Sequence, residues 1–243
     1  MRHFLFILIL AFVSPTVHAQ DLNWRNMEAA NEPLARHENA LVAVGEKIVL
    51  IGGRGEKPVD IYDIKEKKWS QGAQPPLEMH HMQAVSLDGL VYILGGFTGS
   101  WPYETPLTHI LIYDLKEDTW TIGSEIPHGR RRGAAGAVAH NGKIYLINGI
   151  INGHTSGWVN WLDEYDPYTG QWKILADAPV ARDHFQAVVI NDKLFVAGGR
   201  RSGSGETGFS GTVKETNVYD FKSNTWNTMA DIPTPRAYRC SCL

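Results

Sequence analysis

The sequence has little cysteine, no excess of positive charge and no long apolar run. Of its 243 residues only Cys240 and Cys242 are cysteines, and they stand too close together at the chain end to join distant segments. Lysine and arginine number 23 against 26 aspartate and glutamate residues, which gives a formal net charge of −3. This balance argues against a nucleic-acid partner, because no basic excess offsets the charge of phosphates.

Short enzyme signatures are also missing from the sequence. It contains no HExxH, GxSxG, CxxC or phosphate-loop motif. We therefore predict neither a metal site nor a cofactor, and motifs alone assign no class of reaction.

A run of ten apolar residues, 4–13, follows Arg2 at the N-terminus. A run of this length is too short to span the ~30 Å hydrocarbon layer of a membrane. Ser14 and Pro15 end it, and Val17-His18-Ala19 supplies the small residues that signal peptidases read. We predict that residues 1–19 are a cleaved signal peptide, cut after Ala19, and that the protein is secreted or periplasmic. After cleavage we expect no membrane attachment.

The rest of the chain repeats with a period of about 50 residues. Each copy has an apolar run ending in Gly-Gly or Asn-Gly, then Tyr-Asp, a Trp seven residues after the Tyr and a Pro seven after the Trp. The pairs that end the apolar runs are Gly52-Gly53, Gly95-Gly96, Asn148-Gly149 and Gly198-Gly199. The tryptophans are Trp69, Trp120, Trp172 and Trp226. Sixteen residues before each pair stand Arg36, Met79, Arg132 and Arg182.

Each copy contains the pattern of four short antiparallel strands. Turn-forming pairs such as Asp88-Gly89 and Asn141-Gly142 tolerate positive φ and separate the first two strands. Four strands repeating at this period are typical of a propeller blade. The pairs of glycines allow close approach of a neighbouring chain, and the Tyr and Trp rings are expected to fill space between blades.

These motifs resemble kelch repeats, over roughly residues 24–236. The resemblance implies an all-β fold, a kelch-type β-propeller of four-stranded antiparallel blades. We place the domain at 20–243 and its blades at about 37–72, 80–123, 132–175 and 182–229, with the start of a fifth at 236. The resemblance also implies that a complete ring has more blades, so we expect an incomplete propeller with Trp24 on an orphan N-terminal outer strand. A complete protein is expected to be a monomer.

The tail at 238–243 fits an inner strand poorly. A back-translation shifted by one base gives Thr-Gly-Ala-Ala-Ala, which is similar to residues 133–137 of the third repeat. We therefore hypothesise that a frameshift or a truncation produced this tail.

In a four-stranded meander, the loops between the second and third strands share one face with the links between blades. Three of these loops are long: 97–109, 150–162 and 200–216, which together define the long-loop face. The three tryptophans outside the repeat positions, Trp101, Trp158 and Trp161, all fall in them. Because binding sites favour long loops on a rigid scaffold, we expect the ligand there.

We predict that this face binds a carbohydrate or another polar ligand. Arginine forms paired bonds to carboxylates, and flat aromatic rings suit the apolar faces of sugars. The predicted ligand-binding residues are Arg36, His37, Arg54, His80, Trp101, Tyr103, Arg132, Trp158, Trp161, Arg182, Asp183 and Arg200.

Three alternatives stand beside this prediction. In the first, the charged residues at strand starts only tie the blades together and face channel water. In the second, the protein is a sugar-modifying enzyme, an epimerase or an oxidoreductase, with His81, His184 or Glu38 as catalytic candidates at the channel mouth. In the third, the propeller is a protein-interaction scaffold.

Equivalent positions of the repeats hold Glu38, His81, Ala134, His184 and Tyr238, which are expected to face one axis. His80 and His81 are adjacent, so regular strand alternation would point them to opposite faces and prevent joint binding of one metal ion. The collection of Arg, His and Glu around the axis is similar to that of periplasmic sialic-acid epimerases. The Tyr-His pair and crosslinked Cys of galactose oxidase, another kelch-type propeller, have no match here.

Overall fold

The structure, a computed structural model, describes residues 26–101, 103–206 and 208–237. Four antiparallel sheets of four strands each stand around a common axis, and each is a simple meander. Blade 1 consists of β1 (Asn39–Val44), β2 (Lys47–Gly52), β3 (Asp60–Asp63) and β4 (Lys68–Gln71). Blade 2 consists of β5 (Gln83–Leu87), β6 (Leu90–Leu94), β9 (His109–Asp114) and β10 (Thr119–Glu125). The predicted all-β propeller of four-stranded antiparallel blades is confirmed.

Blades 3 and 4 follow the same plan. Blade 3 consists of β11 (Gly136–His140), β12 (Lys143–Ile147), β15 (Leu162–Asp166) and β16 (Gln171–Ile174). Blade 4 consists of β17 (Ala187–Ile190), β18 (Lys193–Ala197), β19 (Thr216–Asp220) and β20 (Thr225–Met229). The predicted signal peptide, the Trp24 strand and the tail at 238–243 lie outside the described residues.

Two of the long loops are themselves hairpins that rise from the blades. In blade 2, β7 (Phe97–Thr98) pairs with β8 (Thr105–Pro106), and in blade 3, β13 (Ile150–Asn152) pairs with β14 (Ser156–Trp158). A short 3₁₀ helix, His128–Arg130, lies in the link between blades 2 and 3. Among the described residues, no helix has the length and apolar character needed to cross a membrane.

The repeat motifs have structural roles within and between blades. Asp63, Asp114 and Asp220 each accept backbone N–H bonds from residues two and three positions later, which closes the turn before the outer strand. Each repeat Tyr packs on the Trp opposite it, with ring centroids 4.9–5.2 Å apart. The indole N–H groups of blades 2, 3 and 4 donate to carbonyls of the preceding blade, at Ala73, Glu125 and Ala176.

The apolar core lies between neighbouring blades. Three clusters of buried side chains join blade 1 to 2, 2 to 3 and 3 to 4. At Gly149 the backbone has φ +112°, and an added Cβ would lie 2.8 Å from the Gly133 carbonyl oxygen, so only glycine fits. Asn148 replaces the first glycine of this pair, adopts φ +53° and donates from Nδ2 to the Val180 carbonyl at 2.7 Å.

Candidate functional site

A cavity of about 730 Å³ opens at the axis on the long-loop face. A volume of this size is typical of small-molecule sites. Blades 1, 2, 3 and 4 all contribute to its wall, and the side chains used below are His37, Glu38, Arg54, Glu78, His81, Trp101, His154, His184, Arg200 and Phe209.

One backbone position recurs at the inner end of every blade, and we call Glu38, His81, Ala134 and His184 the axial slot. All four have left-handed backbones, with φ between +49° and +61°, which is uncommon for residues other than glycine. The backbone N–H of His81 donates to the carbonyl of Glu38 at 2.9 Å. In the same way the N–H of Ala134 donates to the carbonyl of His81 at 2.9 Å, and the N–H of His184 to that of Ala134 at 3.0 Å. Hydrogen bonds therefore connect the slots in series around the axis. Tyr238, the next expected slot, lies outside the described residues.

The left-handed turn at His81 corrects the prediction that His80 and His81 face opposite ways. Neither residue lies in a regular strand, since β5 begins at Gln83. Their Nδ1 atoms are 2.7 Å apart, and both side chains are buried. His80 Nε2 lies 2.9 Å from the carbonyl oxygen of Gly99, so the His80 ring connects this carbonyl to the His81 ring.

His154 joins the axial histidines from the turn between β13 and β14. Its Nε2 atom lies 3.2 Å from Nε2 of His81 and 3.0 Å from Nε2 of His184. All three imidazoles are buried, and their ring centroids lie 4.7–5.0 Å apart. Burial lowers the pKa of His81 to about 3 and also lowers the pKa of His184, so both rings are neutral near pH 7.

Two carboxylates and one arginine form a frame beside the imidazoles. Arg54 pairs with Glu38 and with Glu104, and Glu104 Oε2 lies 2.6 Å from Nδ1 of His154. Burial alone would raise the pKa of Glu104, but hydrogen bonds from His154 and Arg54 outweigh it and lower the pKa to about 2. Glu104 therefore stays ionised and holds the His154 ring in place.

A second polar group supports His184 on the blade 4 side. The carboxylate of Asp183 is hydrogen-bonded to Nδ1 of His184. It also accepts hydrogen bonds from the backbone N–H of Ser202 at 2.9 Å and from the Ser202 hydroxyl at 2.6 Å. Nε of Arg200 donates to the Ser202 hydroxyl at 2.8 Å. Asp183 thus lies behind the cavity wall, whereas Arg200 reaches the wall itself.

Aromatic rings form the outer part of the cavity. The Trp101 side chain is 54% exposed, and its ring centroid lies 5.0 Å from that of His154 and 6.3 Å from that of Phe209. The guanidinium carbon of Arg200 lies 4.8 Å from the Phe209 ring centroid. An entering ligand would therefore meet flat apolar faces next to a cation.

Three predicted ligand-binding arginines, Arg36, Arg132 and Arg182, do not line the cavity, and we call them the arginine slot. Each is buried, and each guanidinium donates to carbonyl oxygens of its own blade. Arg36 also pairs with Asp60, and Arg132 with Asp163 at 2.6 Å. For these three residues the structure favours a structural role, but within a blade rather than between blades, and the side chains are buried rather than facing channel water.

Of the remaining predicted residues, some line the cavity and others lie outside it. His37, Arg54, Trp101 and Arg200 line the cavity, as do the catalytic candidates Glu38, His81 and His184. Tyr103 is 85% exposed outside it, Trp158 donates to the Ser202 carbonyl, and Trp161 stacks under Arg130. These three aromatic side chains are not among the residues lining the cavity.

The predicted site omitted Glu104 and His154, both of which lie in long loops. His154 was one of only two histidines in those loops, the other being His109, so a census of loop histidines was the available signal. For Glu104 no comparable signal existed, because its partners Arg54 and His154 are each fifty positions away.

Comparison with known proteins agrees with the geometry. The family model of the Attractin/LZTR1 β-propeller matches residues 15–240. The chain belongs to this family. It is 29% identical over 216 residues to the Kelch-like protein terF of Aspergillus terreus, covering 83% of this chain and 46% of terF. It is 29% identical over 224 residues to alpha-scruin of Limulus polyphemus, covering 88% of this chain and 23% of scruin.

The propeller is also similar to a solved structure, that of YjhT. The two match with a TM-score of 0.70 and 20% identity, covering 86% of this chain and 69% of YjhT. At this identity the likeness concerns the fold. The chain spans less than half the length of the curated relatives named above.

Proposed function

We propose that this kelch propeller binds a carbohydrate or another polar small molecule in the axial cavity of the long-loop face. The observation that carries the proposal is the pairing of exposed aromatic faces, Trp101 and Phe209, with charged groups in one cavity. Sugars present apolar C–H faces and polar hydroxyl edges, so they suit such a wall. Arg54, Arg200 and Glu78 supply donors and acceptors for the polar edges.

The test replaces one ring of the wall. We expect Trp101→Ala to weaken binding of a sugar from a panel that includes sialic acid by about tenfold, since loss of one stacking contact costs ~1.4 kcal/mol. Isothermal titration calorimetry measures the affinity. Tyr103→Ala is the matched control, because Tyr103 lies in the same loop but outside the cavity. If no sugar binds at about 10 mM, a carbohydrate is excluded as the ligand, and if a sugar binds but both variants bind it alike, the axial cavity is excluded as its site.

A second candidate, an enzyme that modifies a sugar, is supported by the neutral imidazoles at the cavity floor. Neutral histidines accept protons, and Asp183 orients His184 as a carboxylate orients a catalytic base. The same sugar panel, followed by NMR for new products over hours, separates turnover from binding. Turnover that survives His184→Ala would rule out this residue as the base.

We also propose that the protein is exported, on the strength of the N-terminal pattern in residues 1–19. Expressed from its own start in a bacterial host, the exported protein should begin at Gln20. N-terminal sequencing of the periplasmic or secreted fraction measures this. A cytoplasmic protein that still carries the apolar run would contradict the proposal.

A further inference from the structure

The three imidazoles at the floor of the cavity present an unusual pattern of hydrogen-bonding groups. Their Nε2 atoms converge, with His154 3.2 Å from His81 and 3.0 Å from His184. A hydrogen bond needs one donor and one acceptor, so the positions of the ring protons decide whether these contacts are hydrogen bonds. The partners of the opposite ring nitrogens fix those protons.

For His154 and His184 the partner is a carboxylate. Nδ1 of His154 faces Glu104, and Nδ1 of His184 faces Asp183, which already accepts two bonds from Ser202. A carboxylate is an acceptor, so Nδ1 is the donor in each pair. A neutral imidazole has one N–H, and a ring that donates from Nδ1 presents a lone pair at Nε2.

For His81 the same result comes through His80. Nε2 of His80 lies 2.9 Å from the Gly99 carbonyl, which only accepts, so this nitrogen carries the proton of His80. With its one proton on Nε2, a neutral His80 ring presents Nδ1 as an acceptor. Nδ1 of His81 then donates across the 2.7 Å contact, and Nε2 of His81 presents a lone pair. This assignment satisfies the Gly99 carbonyl and leaves Nε2 of His81 facing Oε1 of Glu38 at 3.2 Å.

In this arrangement three lone pairs lie close together among buried side chains. The neighbours that the described residues give these Nε2 atoms are other imidazole nitrogens and, for His81, Oε1 of Glu38 at 3.2 Å. All of these are acceptors in this arrangement. Facing acceptors repel one another, and a cation between them converts the repulsion into coordination.

We propose that His81, His154 and His184 bind one divalent transition-metal ion through their Nε2 atoms. Zinc–nitrogen bonds of about 2.0–2.1 Å at tetrahedral angles place ligand nitrogens about 3.3–3.4 Å apart, a few tenths of an ångström from the observed separations. The atoms of this trio all lie within 4.8 Å of one another. Carboxylates often accept a hydrogen bond from the second nitrogen of a metal-binding histidine and so fix its tautomer and ring orientation. Glu104 would do this for His154, and Asp183 for His184.

The donor set also indicates the class of ion. Imidazole ligands suit Zn²⁺, Cu²⁺ and the related late first-row ions, whereas Mg²⁺ and Ca²⁺ prefer oxygen. The histidines line the cavity, so a fourth position faces the space in which a ligand would lie. Three protein ligands with one open position are typical of metal sites that bind or activate a small molecule.

The test needs no sugar, so it succeeds or fails independently of the proposal above. The untagged protein is freed of metal with a chelator and titrated with Zn²⁺ and with Cu²⁺ by calorimetry. We expect one ion per chain. We also expect His154→Ala to weaken binding by about 100-fold or more, and Glu104→Gln by about 10- to 100-fold.

His37→Ala is the matched control, because His37 lines the same cavity with a side chain that is 65% exposed and lies outside the trio. Its affinity for the ion should equal that of the unmodified protein. If the folded, unmodified protein binds neither ion at micromolar concentration, the proposal is overturned. It is also overturned if His37→Ala and His154→Ala lose affinity equally. Should His154→Ala fail to fold, the unmodified protein and Glu104→Gln decide the matter.

Discussion

The arginine slot and the axial slot lie two residues apart in each repeat but have opposite roles. Side chains of the arginine slot turn into their own blade and donate to its carbonyl oxygens, and Arg36 and Arg132 also pair with a carboxylate there. Side chains of the axial slot turn toward the common axis and contact residues of other blades. The two slots point their side chains differently because the backbone of the axial slot is left-handed. A charged residue at a strand start therefore does not by itself mark a binding site.

Of the variants that test this difference between the two slots, we expect Arg132→Ala to have the largest effect on the free energy of unfolding. We expect Arg132→Ala to lower the free energy of unfolding by about 2–3 kcal/mol, because Oδ2 of Asp163 and the carbonyl oxygens of Asn148 and Leu146 lose their buried donor, while Arg130 still bonds Oδ1 of Asp163. Urea denaturation measures the loss.

Arg131→Ala serves as the control for this variant, because Arg131 pairs with the exposed Glu125. It should cost no more than about 1 kcal/mol. Equal losses in the two variants would mean that the arginine slot is not structural.

A smaller effect is expected from the backbone of the axial slot. Ala134 has φ +49°, and glycine relieves about 1 kcal/mol of strain there, which offsets the ~0.8 kcal/mol lost with the buried methyl group. Ala134→Gly should therefore leave the free energy of unfolding nearly unchanged.

Ala137 is equally buried but lies in β11. Ala137→Gly should cost about 1–2 kcal/mol, since a glycine in a strand loses both the methyl contact and backbone rigidity. Thermal unfolding of the two variants compares them. An equal loss at both positions would show that the left-handed slot carries no strain.

Repetition made the fold predictable from the sequence. The Tyr, Trp, Asp and second Gly of the motif each occur four times, and the indoles of Trp120, Trp172 and Trp226 make the same hydrogen bond to the preceding blade. Errors in a single copy therefore do not disturb the assignment of blades.

The site was only partly predictable because it breaks the repeat. Glu38, His81 and His184 were found through their shared position, and Trp101 and Arg200 through the long loops. His154 and Glu104 come from two long loops whose sequences do not follow the repeat motifs, so no period relates them. The positive φ of His81 reversed the strand alternation that had separated it from His80.

The proposed metal ion would lie among imidazoles that three separate blades bring to one face of the propeller. Anomalous diffraction at the zinc edge, from crystals of the full chain grown with Zn²⁺, tests this arrangement. We expect one peak about 2.0–2.1 Å from Nε2 of His81, His154 and His184. A map with no peak among these nitrogens, or with the three rings turned apart, would contradict it.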